Sequence, residues 1–264
     1  QLNERTKQPL HLGLGRGTAK MEYDAFRIDM DSSRARFRES YEVLTKALAG
    51  GRFTYQGEYL NLPKEIEIRP RTDSSKIHFY GALGASPESA EIMADMGLTP
   101  ICTTIVNFDK QHEVIARWHE RAAAHGINTA TPIPLMVHCI IGDSDEAALE
   151  DAKTYIPPFM QQQVDHYEGD KDHFKNLQSY KAWSNVFNSM VTKCNPEFMP
   201  RWSQFQLAGS PETVCRQLER YMAAGFGNFF LHIATTGIPR AKRHDWMRRF
   251  AREVAPRYST KFKG

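Results

Sequence analysis

The chain has 264 residues, 41% hydrophobic and 25% charged, with a net charge of +3. Its modest basic excess is spread along the chain instead of forming the Lys/Arg stripe that nucleic-acid binding requires, and no apolar run is long enough to cross a membrane. The beginning lacks the apolar core of a signal peptide, and four widely separated cysteines, Cys102, Cys139, Cys194 and Cys215, fit reduced thiols in a cytoplasmic protein.

In chain order, runs rich in apolar and β-branched residues at 9–14, 76–83, 99–106, 134–142 and 228–236 read as five buried strands. Segments with helical spacing separate them. Phe37, Tyr41, Leu44 and Leu48 line one face and stop at Gly50-Gly51; Val114, Ile115, Trp118 and Ala122 line another that ends at Gly126. Val214, Leu218 and Met222 form a third face ending at Gly225, and Met247, Phe250, Ala251 and Val254 a fourth. Strands alternating with helices predict an α/β fold with a parallel sheet.

Two insertions interrupt that alternation. Residues 52–62 alternate around Gln56-Gly57 and predict a small hairpin outside the main sheet. Residues 155–205 contain no strand candidate but carry Tyr167, Phe174, Tyr180, Trp183, Phe187 and Trp202, which suits a lid or pocket wall. An open five-stranded sheet and the last five units of a (β/α)8 barrel both satisfy the pattern. The abrupt start at Gln1 favours the barrel, with residues 1–264 as one domain whose first units are absent.

The chemistry concentrates after the first strand, in "LGLGRG". Gly13, Gly15 and Gly17 allow close backbone approach beside Arg16, which the strand's carboxyl end presents where α/β folds bind ligands. Arg34 follows the capping cluster Asp31-Ser32-Ser33 in the first turn of a helix, where the macrodipole opposes a cation. An anionic partner is called for, either Asp29 or Asp31 or an external phosphate. The turn Ala85-Ser86-Pro87-Glu88-Ser89 then joins a strand to a helix, with Ser86 as N-cap and Pro87 at N1, and offers amides and hydroxyls to phosphate oxygens. A matching cap, Ser-Pro-Glu-Thr, stands at 210–213 with no strand evident before it, so the cap alone is not a site. The glycines do not follow the dinucleotide-binding pattern because residues 18–31 read as a loop.

Together, "GLGRG", "FRIDMDSSRA" and "GASPESAEIMADMGL" resemble the bacterial luciferase-like, flavin-dependent monooxygenases, with the second segment similar to the luciferase α-subunit. The resemblance implies a (β/α)8 TIM barrel with FMN at its strands' carboxyl ends, held by Gly15, Arg16, Arg34, Ala85, Ser86 and Ser89. It further implies FMNH2 from a separate reductase, reaction with O2 through a flavin C4a-peroxide, a small organic substrate, and a dimer. Where luciferase has a large aromatic beside the flavin, this chain has Thr104, so light emission is not implied. The resemblance assigns no catalytic acid or base here. A deazaflavin (F420)-dependent oxidoreductase and a non-catalytic flavin-binding partner subunit remain alternatives.

The histidine pairs His112/His119 and His166/His173 have no metal-ligand spacing, and no serine sits in a nucleophile elbow. His138 and His232 lie in apolar strands, as core residues or as neighbours of a flavin ring. Tyr167 and Trp183 are the insertion's candidates for touching substrate.

Overall fold

The computed structural model describes residues 8–258 except 72, 85, 170 and 234, and omits the side chains of 181 and 182. The strands β1 (Leu10–Leu14), β4 (Ile77–Leu83), β5 (Thr99–Thr103), β6 (Ile133–Ile141), β7 (Leu207–Gly209) and β8 (Phe226–His232) all run parallel. Register is continuous from Leu10↔Ile77 to Leu14↔Gly81 and from Tyr80↔Thr99 to Leu83↔Cys102. β6 pairs with β8 over Ile133–His138 and, farther along, with β7 over Cys139–Ile141. It is flanked by β5 on one side and by β7 and β8 on the other, and its nearly uninterrupted apolar run fits a strand buried along most of its length. No pairing joins β1 to β7 or β8 among the described residues, so the sheet is open along that side.

The five strands read from the sequence are all present, and β7 is a sixth. It contains three residues, all buried, too few to give a periodic signal, yet it directly precedes the Ser-Pro-Glu-Thr cap at 210–213. The hairpin forms as β2 (Arg52–Gln56) and β3 (Asn61–Glu67), paired antiparallel outside the main sheet. Residues 18–31, read as a loop, instead contain the short helix α1 (Lys20–Ala25) and a tight turn over Met30–Ser32.

Helix α2 (Ser33–Ala49) ends at Gly50, whose φ of 80° suits glycine. Helices α3 (Pro87–Asp95), α4 (Phe108–Ala124) and α8 (Pro211–Ala223) return from the strands' carboxyl ends to cover the sheet. Val114, Ile115, Trp118 and Ala122 of α4 and Val214 and Leu218 of α8 are buried, as their spacing predicted. The last predicted face is displaced: α9 (Arg240–Arg249) passes into a wider turn over Phe250–Val254, burying Trp246 and Val254 while leaving Met247 54% exposed. A widened turn rotates every later residue relative to the 3.6 period, so a regular pattern does not anticipate it.

The long insertion is helical. It begins inside α5 (Asp145–Tyr167), continues through α6 (Lys181–Lys193) and α7 (Met199–Ser203), and builds its own core from Val164, Phe174, Tyr180, Val186, Phe187 and Met190 packed on Met30. That second core fastens the insertion to the segment following β1. No described helix is long and apolar enough to cross a membrane. Cys102, Cys139 and Cys215 are buried and Cys194 partly so, all four as free thiols.

One buried carboxamide ties the strand ends together. Gln206 Oε1 accepts from Thr104 Oγ1 at 2.7 Å and from the His138 amide at 3.1 Å, while its Nε2 donates to Thr104 O at 3.1 Å. Gln206 is fully buried, so replacing it leaves polar backbone groups without water or protein partners. Gln206→Leu is expected to lower stability by about 2–4 kcal/mol in urea unfolding, since each orphaned group costs about 1–3 kcal/mol.

Candidate functional site

At the carboxyl ends of β1 and β4, the loop Gly15-Arg16-Gly17, the first turn of α2 and the start of α3 enclose a cleft of about 590 Å³. Arg16, Arg34, Ser86 and Ser89 face it together, with Gln178, Ser179 and Trp183 from the insertion forming the far wall. A narrower recess beneath is lined by Gly15, Ala82 and Gly84. A Cβ at Gly84 would come within 3.1 Å of the Trp183 ring, tighter than normal packing allows. At Gly15 a Cβ would find only Ala82 at 3.9 Å, so this glycine keeps the recess open.

Arg16 is held more firmly by its backbone than by its guanidinium. Tyr23 donates its hydroxyl to Arg16 O, Tyr180 donates to Gly17 O at 2.8 Å, and the two phenol oxygens lie 3.1 Å apart. The guanidinium carbon sits 4.8 Å over the Tyr180 ring. Among the described residues its hydrogen bonds are long: Nη1 donates at 3.4 Å to Ser33 Oγ and at 3.4 Å to Ser179 O. Desolvation chiefly pushes the Arg16 pKa down, helped by the nearby Arg34 charge and opposed by Tyr180, Tyr23 and Glu88.

Arg34 has a partner: its Nη1 donates to Glu88 Oε1 at 2.6 Å. This corrects the expectation of Asp29 or Asp31. Asp29 accepts from the Asp31 amide, and Asp31 instead clamps the insertion, with Oδ1 accepting from Ser179 N at 2.8 Å and its carbonyl from Ser179 Oγ at 2.7 Å. The Glu88 side chain is 65% exposed, so it can move aside for another anion. Ser86 is the N-cap and Pro87 follows it, as predicted, but Ser86 Oγ accepts from Ser89 N at 3.3 Å, so that amide is already in use. Ala85 lies outside the described residues.

The sequence missed Ser179 and Tyr180, whose only signal was the polar and aromatic composition of the insertion. Of its two candidates there, Trp183 lines the cleft. Tyr167 packs in the second core, 5.4 Å from Phe187 between ring centroids.

A second cavity of about 140 Å³ lies at the carboxyl ends of β5 and β8, beside Met136, Val137 and His138 of β6. His138 and His232 stack there at 4.5 Å, facing Thr104, Met136, Phe159 and Lys193. The large aromatic that the resemblance would place at position 104 is replaced by a small hydroxyl, leaving room beside the histidines. Lys193 is only 3% exposed; its Nζ donates to Ile105 O at 2.8 Å. Sequence gave no warning, because a lysine ending a helix is ordinarily a solvated favourable charge. Burial lowers the Lys193 pKa to about 8. Burial, with smaller contributions from His232 and Lys193, lowers His138 to about 3, and burial lowers His232 as well, so these rings are neutral near pH 7.

Because the native state disfavours charged Lys193, its penalty is present in full below about pH 8 and disappears as pH rises towards the unfolded lysine value of 10.5. In that window the unfolded chain holds the extra proton, so stability rises with pH. Compared with Lys193→Met, the wild type is expected to gain on the order of 3 kcal/mol between pH 7.5 and 10.5 in urea unfolding.

The sequence profile of the luciferase-like monooxygenases matches residues 10–228. The chain is 22% identical over 214 residues to the alkanal monooxygenase alpha chain of the Kryptophanaron alfredi symbiont, covering 80% of this chain but only 55% of that relative. Among solved structures it is similar to the monooxygenase RslO1 from Streptomyces bottropensis (TM-score 0.67, 21% identity, 94% of this chain and 69% of the other). It is also similar to the FMN-bound oxygenating constituent of 3,6-diketocamphane monooxygenase from Pseudomonas putida (0.65, 15%, 93% and 70%). A third similar structure is the coenzyme F420-dependent tetrahydromethanopterin reductase from Methanopyrus kandleri (0.57, 15%, 93% and 73%). Because the profile spans most of the chain, including the Arg16, Arg34 and Ser86 segments, this protein belongs to the luciferase-like monooxygenase family.

Proposed function

We propose that this chain binds FMN by its phosphate in the Arg16–Arg34 cleft and acts within a cytoplasmic, dimeric monooxygenase. In this reading a separate reductase supplies FMNH2, and a small organic substrate is oxygenated with O2. The parallel sheet would form part of a (β/α)8 barrel, with the insertion as its lid. The observation that carries the reading is Arg16: a partly desolvated guanidinium with two long hydrogen bonds beside a second guanidinium that holds only a displaceable carboxylate. A phosphate dianion supplies the acceptors both forks lack.

The residues fit the group. Arg16 and Arg34 would bind phosphate oxygens, Ser89 and the start of α3 would close around them, and the opening at Gly15 leaves space beside the strand end. When bound, a reduced flavin supplies the electrons for O2 activation. This chain's share is to anchor the phosphate, orient the ring along the strand ends and exclude water with residues 178–193. The similarity to an F420-dependent reductase supports a second reading, hydride transfer without O2. Titration with FMN, reduced FMN and F420 separates them: tight F420 binding with none of FMN would favour the second.

Arg16→Ala or Arg34→Ala is expected to weaken FMN binding by about 1.5–3 kcal/mol, read by flavin fluorescence titration, because each removes a charge-assisted phosphate contact. Unchanged affinity in both would overturn the assignment. Glu88→Gln, which removes the competing carboxylate, is expected to tighten FMN by about 2–5-fold, the scale of an exposed ion pair.

A further inference from the structure

Helix α6 joins two unlike places. Its N-terminal Trp183 lines the arginine cleft, and its last residue, Lys193, enters the histidine cavity ten residues later, a rise of about 15 Å. Ile105 lies between them: its side chain approaches Gly84 beside Trp183, and its carbonyl accepts from Lys193.

Inside the cavity the polar groups are incompletely matched. Lys193 uses one of three ammonium donors on Ile105 O, and no carboxylate pairs with it among the described residues. His138 Nδ1 is buried without a hydrogen-bond partner among the described residues. Apart from Thr103, Thr104 and Gln163, the other lining is apolar: Ile105, Met136, Val137, Phe159, Met160 and Met190. Buried cations and buried orphan nitrogens are costly, and a ligand carrying two oxygens and one negative charge satisfies both. At about 30 Å³ per water, a space of about 140 Å³ holds a carboxylate and a few carbons. Met136, which lines the cavity and is 39% exposed, marks the side on which the remainder of a longer molecule would emerge.

We propose that Lys193, His138 and His232 form the pocket for the substrate's head group, and that this head group is a carboxylate on a small apolar body. The assignment to substrate rests on the flavin reading above. Carboxylate binding itself does not. Lys193 supplies the charge, the neutral imidazoles supply hydrogen bonds, and the apolar wall excludes ligands that carry several charges. The preference is for a monoanion, in contrast to the phosphate at the other end of α6.

The test compares benzoate with its neutral near-isostere benzamide, by calorimetric titration at pH 7 on the whole chain. The wild type is expected to bind benzoate at least about 10-fold more tightly, the range of one charge-assisted hydrogen bond. Lys193→Met is expected to bring the two ligands within about 2-fold, whereas Arg34→Ala is expected to keep the preference. Equal binding of the two by the wild type overturns the proposal without any variant. Survival of the preference in Lys193→Met, or its loss in Arg34→Ala, overturns it equally. FMN titration of the same samples separates the two readings: a benzoate preference without FMN affinity would remove the flavin assignment and leave the carboxylate pocket standing.

Discussion

A guanidinium drawn partly out of water, with too few acceptors to replace those it lost, is the constraint around which this site is arranged. Arg16 could relieve that cost by turning outward on its glycine-flanked loop. It does not, because Tyr23 and Tyr180 hold the carbonyls of Arg16 and Gly17. Tyr180 is itself fixed by the second core, and Asp31 grips Ser179 on both its amide and its hydroxyl. The packing energy of one hydrophobic cluster is thereby used to keep a cation where it is poorly satisfied. Strain of this kind persists only when the surroundings over-determine it, and it points to a ligand that completes the arrangement.

The insertion is therefore part of the site. Without residues 178–183 the cleft would be an open shelf at the edge of the sheet, and exposed arginines bind anions weakly because water and salt screen them. With them, α6 covers both the arginine cleft and the lysine cavity. A displacement of α6 would change the two together, since Trp183 and Lys193 belong to one rigid element.

Much of this was legible from sequence where the physics is local. Burial along most of its length writes β6 as an apolar run, and helical spacing located α4 and α8 to within a residue or two. Arg16 and Arg34 were legible because glycine beside a strand end, and a cation in a helix's first turn, are each locally unfavourable without a reason. The pieces that escaped depend on distant residues. Glu88 lies 54 positions from Arg34, and Ser179 lies 163 from Arg16. Lys193 carried no signal in the sequence, because its burial beside Ile105 and His138 is set by tertiary packing alone. Tyr167 and Trp183 shared the same composition signal, and only tertiary packing separates the one in the second core from the one in the cleft.

The two cationic places also differ in the anion each can select. Arg16 and Arg34 present planar forks in a wide cleft, with the Arg34 side chain 26% exposed, a setting that tolerates a hydrated dianion and rewards several directional bonds. Lys193 presents one compact charge at 3% exposure among methionines and aromatics. A second negative charge there would have to be desolvated with nothing opposite it, at a cost of several kcal/mol. Fork against point charge, and open cleft against buried cavity, therefore sort ligands in opposite directions. A molecule bearing a phosphate is rejected from the inner cavity by desolvation, while a small carboxylate gains little in the outer cleft, where water competes for it on equal terms. If both proposed anion sites are occupied, they can in this way serve two different molecules without exchanging them.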